Sequence, residues 1–301
     1  MPRTDLHQHL WPEALLRELA LRTAPPRLRR DGREWMLELP GDPPSPVALA
    51  DHDPVVRALE AERDGNDVVG IALSVPLGIE LLPAAEAKPL LDSFHDGVAE
   101  LGGPFRFWAA TALTAPRAGA LEIDALLDQG AIGATVPAGA LASEVGLVRL
   151  SALLSRLEAR DAPLFVHPGP APAAHRGAPP WWPAMTAYVA DMHAAWHAWA
   201  AWGRASHPRL RVLFAMLAGC APLHAERLAA RGGPSDAVHD PLTAFDTSSY
   251  GPKAVDAMLR VVGVDRLLYG SDRPVIEPVA LTALGAAAEH ALFVTNPERL
   301  V

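Results

Sequence analysis

Residues 4–9 read TDLHQH. Imidazole is the side chain best suited to ligate a transition metal near neutral pH, and His7 and His9 stand two residues apart. On a β-strand such residues face the same way, so the pair can offer two ring nitrogens to one ion. His-x-His also occurs on ordinary solvated strands, and its meaning depends on what else converges there. Two further candidates lie far along the chain. His167 ends the apolar run PLFVH, and Asp272 ends RLLYGSD. Three imidazoles and a carboxylate suit a divalent ion of borderline softness, with room left for water.

For residues so distant to meet, the elements that carry them must end at one place. Short apolar runs recur at 68–75, 105–113, 131–136, 163–167, 209–216, 244–249 and 266–272. With the strand bearing TDLHQH they make eight. Longer amphipathic stretches separate them, such as 146–161 with leucines at helical spacing. Eight parallel strands each followed by a helix predict an α/β fold, a (β/α)8 TIM barrel, in which the carboxyl ends of the strands share one rim. An open doubly wound sheet is the alternative, but no glycine-rich phosphate fingerprint supports its nucleotide-binding form.

Two insertions interrupt the rhythm of the single expected domain, 1–301. The first, at about 20–53 after strand 1, contains Asp31-Gly32, a hairpin signal, and predicts a β-ribbon that either caps the rim or is a packing ornament. The second, at about 170–205 after strand 5, opens rich in proline and ends as a helix carrying Trp196, Trp199 and Trp202. That stripe reads as core or subunit interface, compatible with a homodimer. Half of the 301 residues are apolar, and the formal net charge is -9. This argues against nucleic acid or an anionic membrane as partner and leaves a small-molecule substrate. One cysteine, Cys220, permits no internal disulfide. With no apolar run of about 20 residues to span a membrane and no signal-like segment, a cytoplasmic protein is expected.

The segments DLHQH, VHPG, HPRLRVLFAMLAGCAPLHAERL, FDTSSYG, LYGSDRP and NPERL, in this order from end to end, resemble the amidohydrolase-related family. These are metal-dependent barrels that include hydrolases and aminocarboxymuconate semialdehyde decarboxylase. The resemblance implies that His7, His9, His167 and Asp272 ligate one divalent ion, Zn²⁺ first, with Mn²⁺, Fe²⁺ or Co²⁺ suiting the same ligands. It also exposes a departure. Where the family places a histidine at the end of the sixth strand, this chain has FAMLAG and Met216, whose thioether neither gives nor takes a proton.

Metal binding alone lowers the pKa of water to about 7, and Asp272 can accept its proton. The expected activity is therefore hydrolysis of a small ester, lactone or amide. The alternatives are a metal-dependent decarboxylase of a small aromatic or unsaturated acid, and a barrel that Met216 has left without turnover, serving a binding or structural role. Arg273 and Arg176 are the cations expected to grip a substrate carboxylate. Asp5 and Asp246 are expected to support the ligands from behind. His193 and His197, one helical turn apart, read as a solvated or core pair, and His224 as a capping or packing residue.

Overall fold

The computed structural model describes residues 1–40, 43–172 and 177–301. Eight short parallel strands form its centre: β1 (Thr4–Gln8), β2 (Val68–Ile71), β3 (Phe105–Phe107), β4 (Ala134–Pro137), β5 (Leu164–His167), β6 (Val212–Phe214), β7 (Thr243–Asp246) and β8 (Leu267–Leu268). They pair in two runs, β1-β2-β3 and β8-β7-β6-β5-β4. Parallel bridges at Gln8–Arg273 and Ala109–Ala134 join the runs at both seams. His9 N–H donates to Arg273 O at 2.7 Å across one seam, and Thr135 N–H to Ala109 O at 2.7 Å across the other. The strands thus run in a ring, in chain order.

The strands are shorter than the apolar runs that mark them. Ladder pairing between β2 and β3 stops at Ile71 and Phe107, yet Ala72, Leu73, Trp108 and Ala109 stay fully buried. Inside the ring the packing is aromatic: Trp108 and Phe165 lie 5.0 Å apart between ring centroids. Gly70 makes room for this. A Cβ there would sit 2.7 Å from Leu6 O, the carbonyl that accepts from Trp108 Nε1–H.

Helices on the outside follow local rules. Helix Pro54–Arg63 begins at Asp53, whose Oδ1 accepts from Val55 N–H at 2.8 Å, with proline in the first turn; such a cap stabilises by roughly 1 kcal/mol. Helix Glu144–Ala159 starts at Ser143, whose Oγ accepts from Gly146 N–H, and buries Leu147, Leu150, Leu153, Leu154 and Leu157 on one face. Each fully buried leucine is worth about 2 kcal/mol. None of the described helices is long and apolar enough to cross a membrane.

Where a β-ribbon is expected, the chain builds a three-stranded antiparallel sheet from Arg27–Asp31, Glu34–Glu38 and Ser45–Val47. Its turn lies one residue later than the sequence suggests. Asp31 pairs with Glu34, leaving Gly32-Arg33 as the two-residue loop, with Gly32 at φ +61°. Glycine at the first central position is what a type II′ hairpin turn requires. Of the tryptophan stripe, Trp196 and Trp199 are buried, whereas Trp202 is 44 % exposed. A π-turn over Trp199–Gly203 rotates the third ring out of line with the first two.

Candidate metal centre

The ring brings His7, His9, His167 and Asp272 to one mouth, with a ligand atom from each lying within 4.8 Å of all the others. All four are largely or wholly buried. The Nε2 atom of His7 is 3.2 Å from that of His9 and 3.0 Å from that of His167. Asp272 Oδ1 is 3.3 Å from His9 Nε2 and 3.6 Å from His7 Nε2. Beneath them the His7 ring rests 5.0 Å from Phe165.

The protons of these rings are fixed from behind. His7 Nδ1–H donates to Asp246 Oδ2 at 2.8 Å, His9 Nδ1–H to Ala72 O at 2.9 Å, and His167 Nδ1–H to Pro168 O at 2.8 Å. Each partner is an acceptor only, so each Nδ1 holds the proton and each Nε2 presents a bare lone pair. Three lone pairs and a carboxylate therefore point at one another in a buried space where they can only repel. A divalent cation resolves that conflict. Atoms bound at about 2.1 Å to one ion stand roughly 3.0–3.4 Å apart, and the Nε2 spacings of His7 to His9 and to His167 fall in that span. The donor set fits such an ion.

Electrostatics around the cluster follow. Burial disfavours the charged form of Asp272, but the three imidazoles around it, His9 first, outweigh that and hold the carboxyl below its ordinary range; any positive charge they supply is what an ion would supply at the same place. Burial, then the neighbouring His7 and His9, push His167 well below the usual imidazole value. Burial also works against charge on His7, and Asp246 more than compensates, raising it.

Asp246 Oδ1 meanwhile accepts from the backbone N–H groups of Met216 and Ser248, each at 3.0 Å, so this carboxylate is held on both sides. Asp5 lies lower. It accepts from His7 N–H, Ser271 N–H and Gln8 Nε2–H, tying β1 to the segment after β8. Gln8 Oε1 in turn takes a hydrogen bond from Arg57.

A cavity of about 430 Å³ opens above the cluster. Its wall includes Trp11, Pro76, Leu77, Tyr188, Val189, Met216, Tyr250 and Ile276, with Leu37 and Leu39 reaching over from the antiparallel sheet and Met185 from the stretch after β5. Both expected insertions thus contribute to the cavity wall. No lysine or arginine is among its described lining residues. Arg273, expected to grip a substrate, is buried outside the cavity wall, where Glu277 binds it at 2.8 Å and Asp64 at 3.2 Å. Those acids arrive from the next turn and from the end of helix Pro54–Arg63, which a linear reading does not join to Arg273. Arg176 lies outside the described residues. Ser249, whose Oγ donates to Asp272 Oδ2 at 3.0 Å, and Tyr250 were not singled out from sequence, although both lie within FDTSSYG.

Met216 opens an unusual backbone run. Residues Met216, Leu217, Ala218, Gly219 and Cys220 have φ of 52°, 51°, 52°, 60° and 64°, one turn of left-handed helix immediately after β6. L-residues resist this conformation by roughly 1–2 kcal/mol each, and only Gly219 avoids that cost. The turn places Met216 N–H on Asp246 and Ser248 Oγ, and the Met216 side chain in the cavity wall.

No protein-family model matches the chain, and no curated protein matches it by sequence. Solved structures do match in fold. IDCase from Metarhizium anisopliae aligns with 20% identity and a TM-score of 0.80 over 99% of this chain and 96% of that one. An amidohydrolase II aligns with 18% identity and a TM-score of 0.75 over 99% of both. The 5-carboxyvanillate decarboxylase from Novosphingobium aromaticivorans, solved with manganese and 4-hydroxy-3-methoxy-5-nitrobenzoic acid, aligns with 18% identity and a TM-score of 0.70 over 84% of this chain and 81% of that one. In fold, the chain is similar to solved structures that include an IDCase, an amidohydrolase II and a 5-carboxyvanillate decarboxylase.

Proposed function

We propose that the protein is a metal-dependent lyase that removes the carboxyl group of a small aromatic or unsaturated acid, with His7, His9, His167 and Asp272 holding the ion. The observation that carries this reading is an acceptor-only ligand cluster at the floor of an apolar cavity with no cation among its described lining residues. An acid entering there finds flat apolar walls for its ring and no guanidinium for its charge. The ion is what remains to receive the anion. The likeness in fold to a decarboxylase solved with manganese supports the same choice, and makes Mn²⁺ as reasonable an occupant as Zn²⁺.

When bound, the ion supplies a positive charge that anchors the substrate's oxygens and draws electron density from the bond to be broken. The chain's own residues do the rest. Trp11, Leu37 and Leu39 keep water from the reacting carbon. Asp272, ionised at rest, relays a proton from water to this carbon as the carbon–carbon bond breaks and carbon dioxide leaves, and Ser249 Oγ fixes the orientation of its Oδ2. The hydroxide left by that water combines with the carbon dioxide as bicarbonate, which carries away the charge of the starting carboxylate.

Met216 favours a second reading, hydrolysis of an ester, lactone or amide. That reaction needs only one carboxylate to take a proton from water, and Asp272 is present. Metal-loaded protein assayed on a panel of aromatic acids for released carbon dioxide, beside a panel of esters and lactones, separates the two. Carbon dioxide release supports the lyase. Ester turnover without it transfers the assignment to a hydrolase, and metal binding with neither leaves a barrel that binds without turnover.

A further inference from the structure

On the outer side of the left-handed turn lies a second cleft, of about 640 Å³, that shares no lining residue with the metal cavity. His193 and His197 reach into it from helix Ala187–Ala198, and His224 and Arg227 from the start of helix Ala225–Ala229 and that helix itself. Arg231 and Trp202 complete it. No carboxylate is among its described lining residues, in a chain whose net charge is -9.

Several arginines elsewhere on the chain are ion-paired. Arg156 and Arg160 bind Asp124, and Arg204 binds Asp240. The side chains of Arg227 and Arg231 have neither an ion pair nor a hydrogen bond among the described residues. The same holds for the hydrogen bonding of His197 and His224, so each ring can turn an N–H inward. His193 is anchored: its Nε2–H donates to Gly219 O at 2.7 Å. Its ring centre lies 5.4 Å from that of His224 and 6.3 Å from that of His197.

Two guanidiniums, with the His197 and His224 rings free to turn an N–H toward them, line one space with no carboxylate to receive their hydrogen bonds. A second divalent cation is disfavoured there by the two fixed positive charges. A dianionic oxyanion satisfies them, because guanidinium recognises phosphoryl oxygens through paired hydrogen bonds, and a phosphate monoester carries close to two charges at neutral pH. Trp202, half-exposed in the π-turn, offers a flat face beside these donors, and Ala142, Ala194 and Ala201 leave space next to it.

We infer that this cleft binds a phosphate monoester of a planar ring compound, with Arg227 and Arg231 on the phosphoryl group and Trp202 against the ring. The occupant is a small molecule of the mononucleotide class, at a site separate from the metal centre.

Titration calorimetry of the metal-loaded full chain at constant ionic strength tests this, with adenosine monophosphate, inorganic phosphate and benzene-1,2-dicarboxylate as probes. Adenosine monophosphate is expected to bind with a submillimolar Kd and more tightly than inorganic phosphate. The double variant Arg227→Ser/Arg231→Ser is expected to weaken it at least about tenfold. Both arginines are exposed, so the double variant keeps its fold, which circular dichroism checks. Trp202→Ala should remove the preference for the nucleotide over inorganic phosphate. The inference is overturned by no binding at about 10 mM, by equal binding to the double variant, or by dicarboxylate binding as tight as that of the nucleotide.

Discussion

His7 shows how much of the metal centre is decided by a neighbour that touches no ion. Asp246 Oδ2 fixes the proton on His7 Nδ1 and leaves Nε2 bare. Replacing Asp246 by Asn sets an amide where that carboxylate stood, and the amide can turn its NH₂ toward Nδ1 and drive the proton to Nε2. The expected result of Asp246→Asn is a metal affinity lowered by about 10–100-fold, measured by chelator competition, with the fold kept. Unchanged affinity would show that the tautomer is set by something else. Asp272→Asn is a different case, because it removes a charge from the ligand cluster and the proton carrier together. Turnover should fall by about 10²–10⁴-fold even when excess Mn²⁺ restores metal content, and equal turnover at equal metal content would remove Asp272 from the chemistry. These four side chains were legible because each closes an apolar run, where a β/α ring gathers its strand ends. Arg273 was not, since its role depends on Asp64 and Glu277, and adjacency to Asp272 in sequence said nothing of which way its guanidinium turns.

At the scale of elements, the left-handed turn 216–220 was invisible in the sequence for a plain reason. Leu217, Ala218 and Cys220 are not residue types that favour positive φ, and only tertiary contacts hold them there. Gly219 sits where the turn touches helix Ala187–Ala198. A Cβ on it would lie 3.1 Å from both His193 Cδ2 and Val189 O. Gly219→Ala should therefore destabilise by about 1–3 kcal/mol, read from urea denaturation, and a variant as stable as the parent would show that the helix yields freely. The strands were easier to read. β-branched and aromatic runs between turn signals marked all eight, but their ends were set too late, because the buried residues past Ile71 and Phe107 look the same in sequence whether they pair in a ladder or pack beneath a loop. The hairpin turn slipped by one residue for a similar reason. Asp31-Gly32 and Gly32-Arg33 both contain the glycine, and only the pairing of Asp31 with Glu34 chooses between them.

The whole molecule is a ring whose closure joins residues about as far apart as the chain allows, Gln8 with Arg273. Eight strands could be counted from sequence, but the seam could not be read, because nothing local distinguishes a paired edge from a free one. The loops that follow the strands also bury polar groups, and Glu80 is the plainest case. It lies in the short turn Ile79–Leu81, is 1 % exposed, and neither carboxyl oxygen has a hydrogen-bond partner. Burial pushes its pKa from 4.5 up to about 8. The folded state consequently holds a proton that the unfolded chain releases over this range. The stabilising form is complete below the unfolded value, 4.5, and is lost as the pH rises through about 8. Glu80→Gln keeps the shape and removes the titration. Urea denaturation of metal-loaded protein at about pH 5 and about pH 9 should show the two proteins alike at the lower pH, with the variant more stable by a few kcal/mol at the higher one. The same pH dependence in both proteins would mean that Glu80 already finds a partner or water beneath its loop, and that the packing around Ile79–Leu81 is looser than its burial implies.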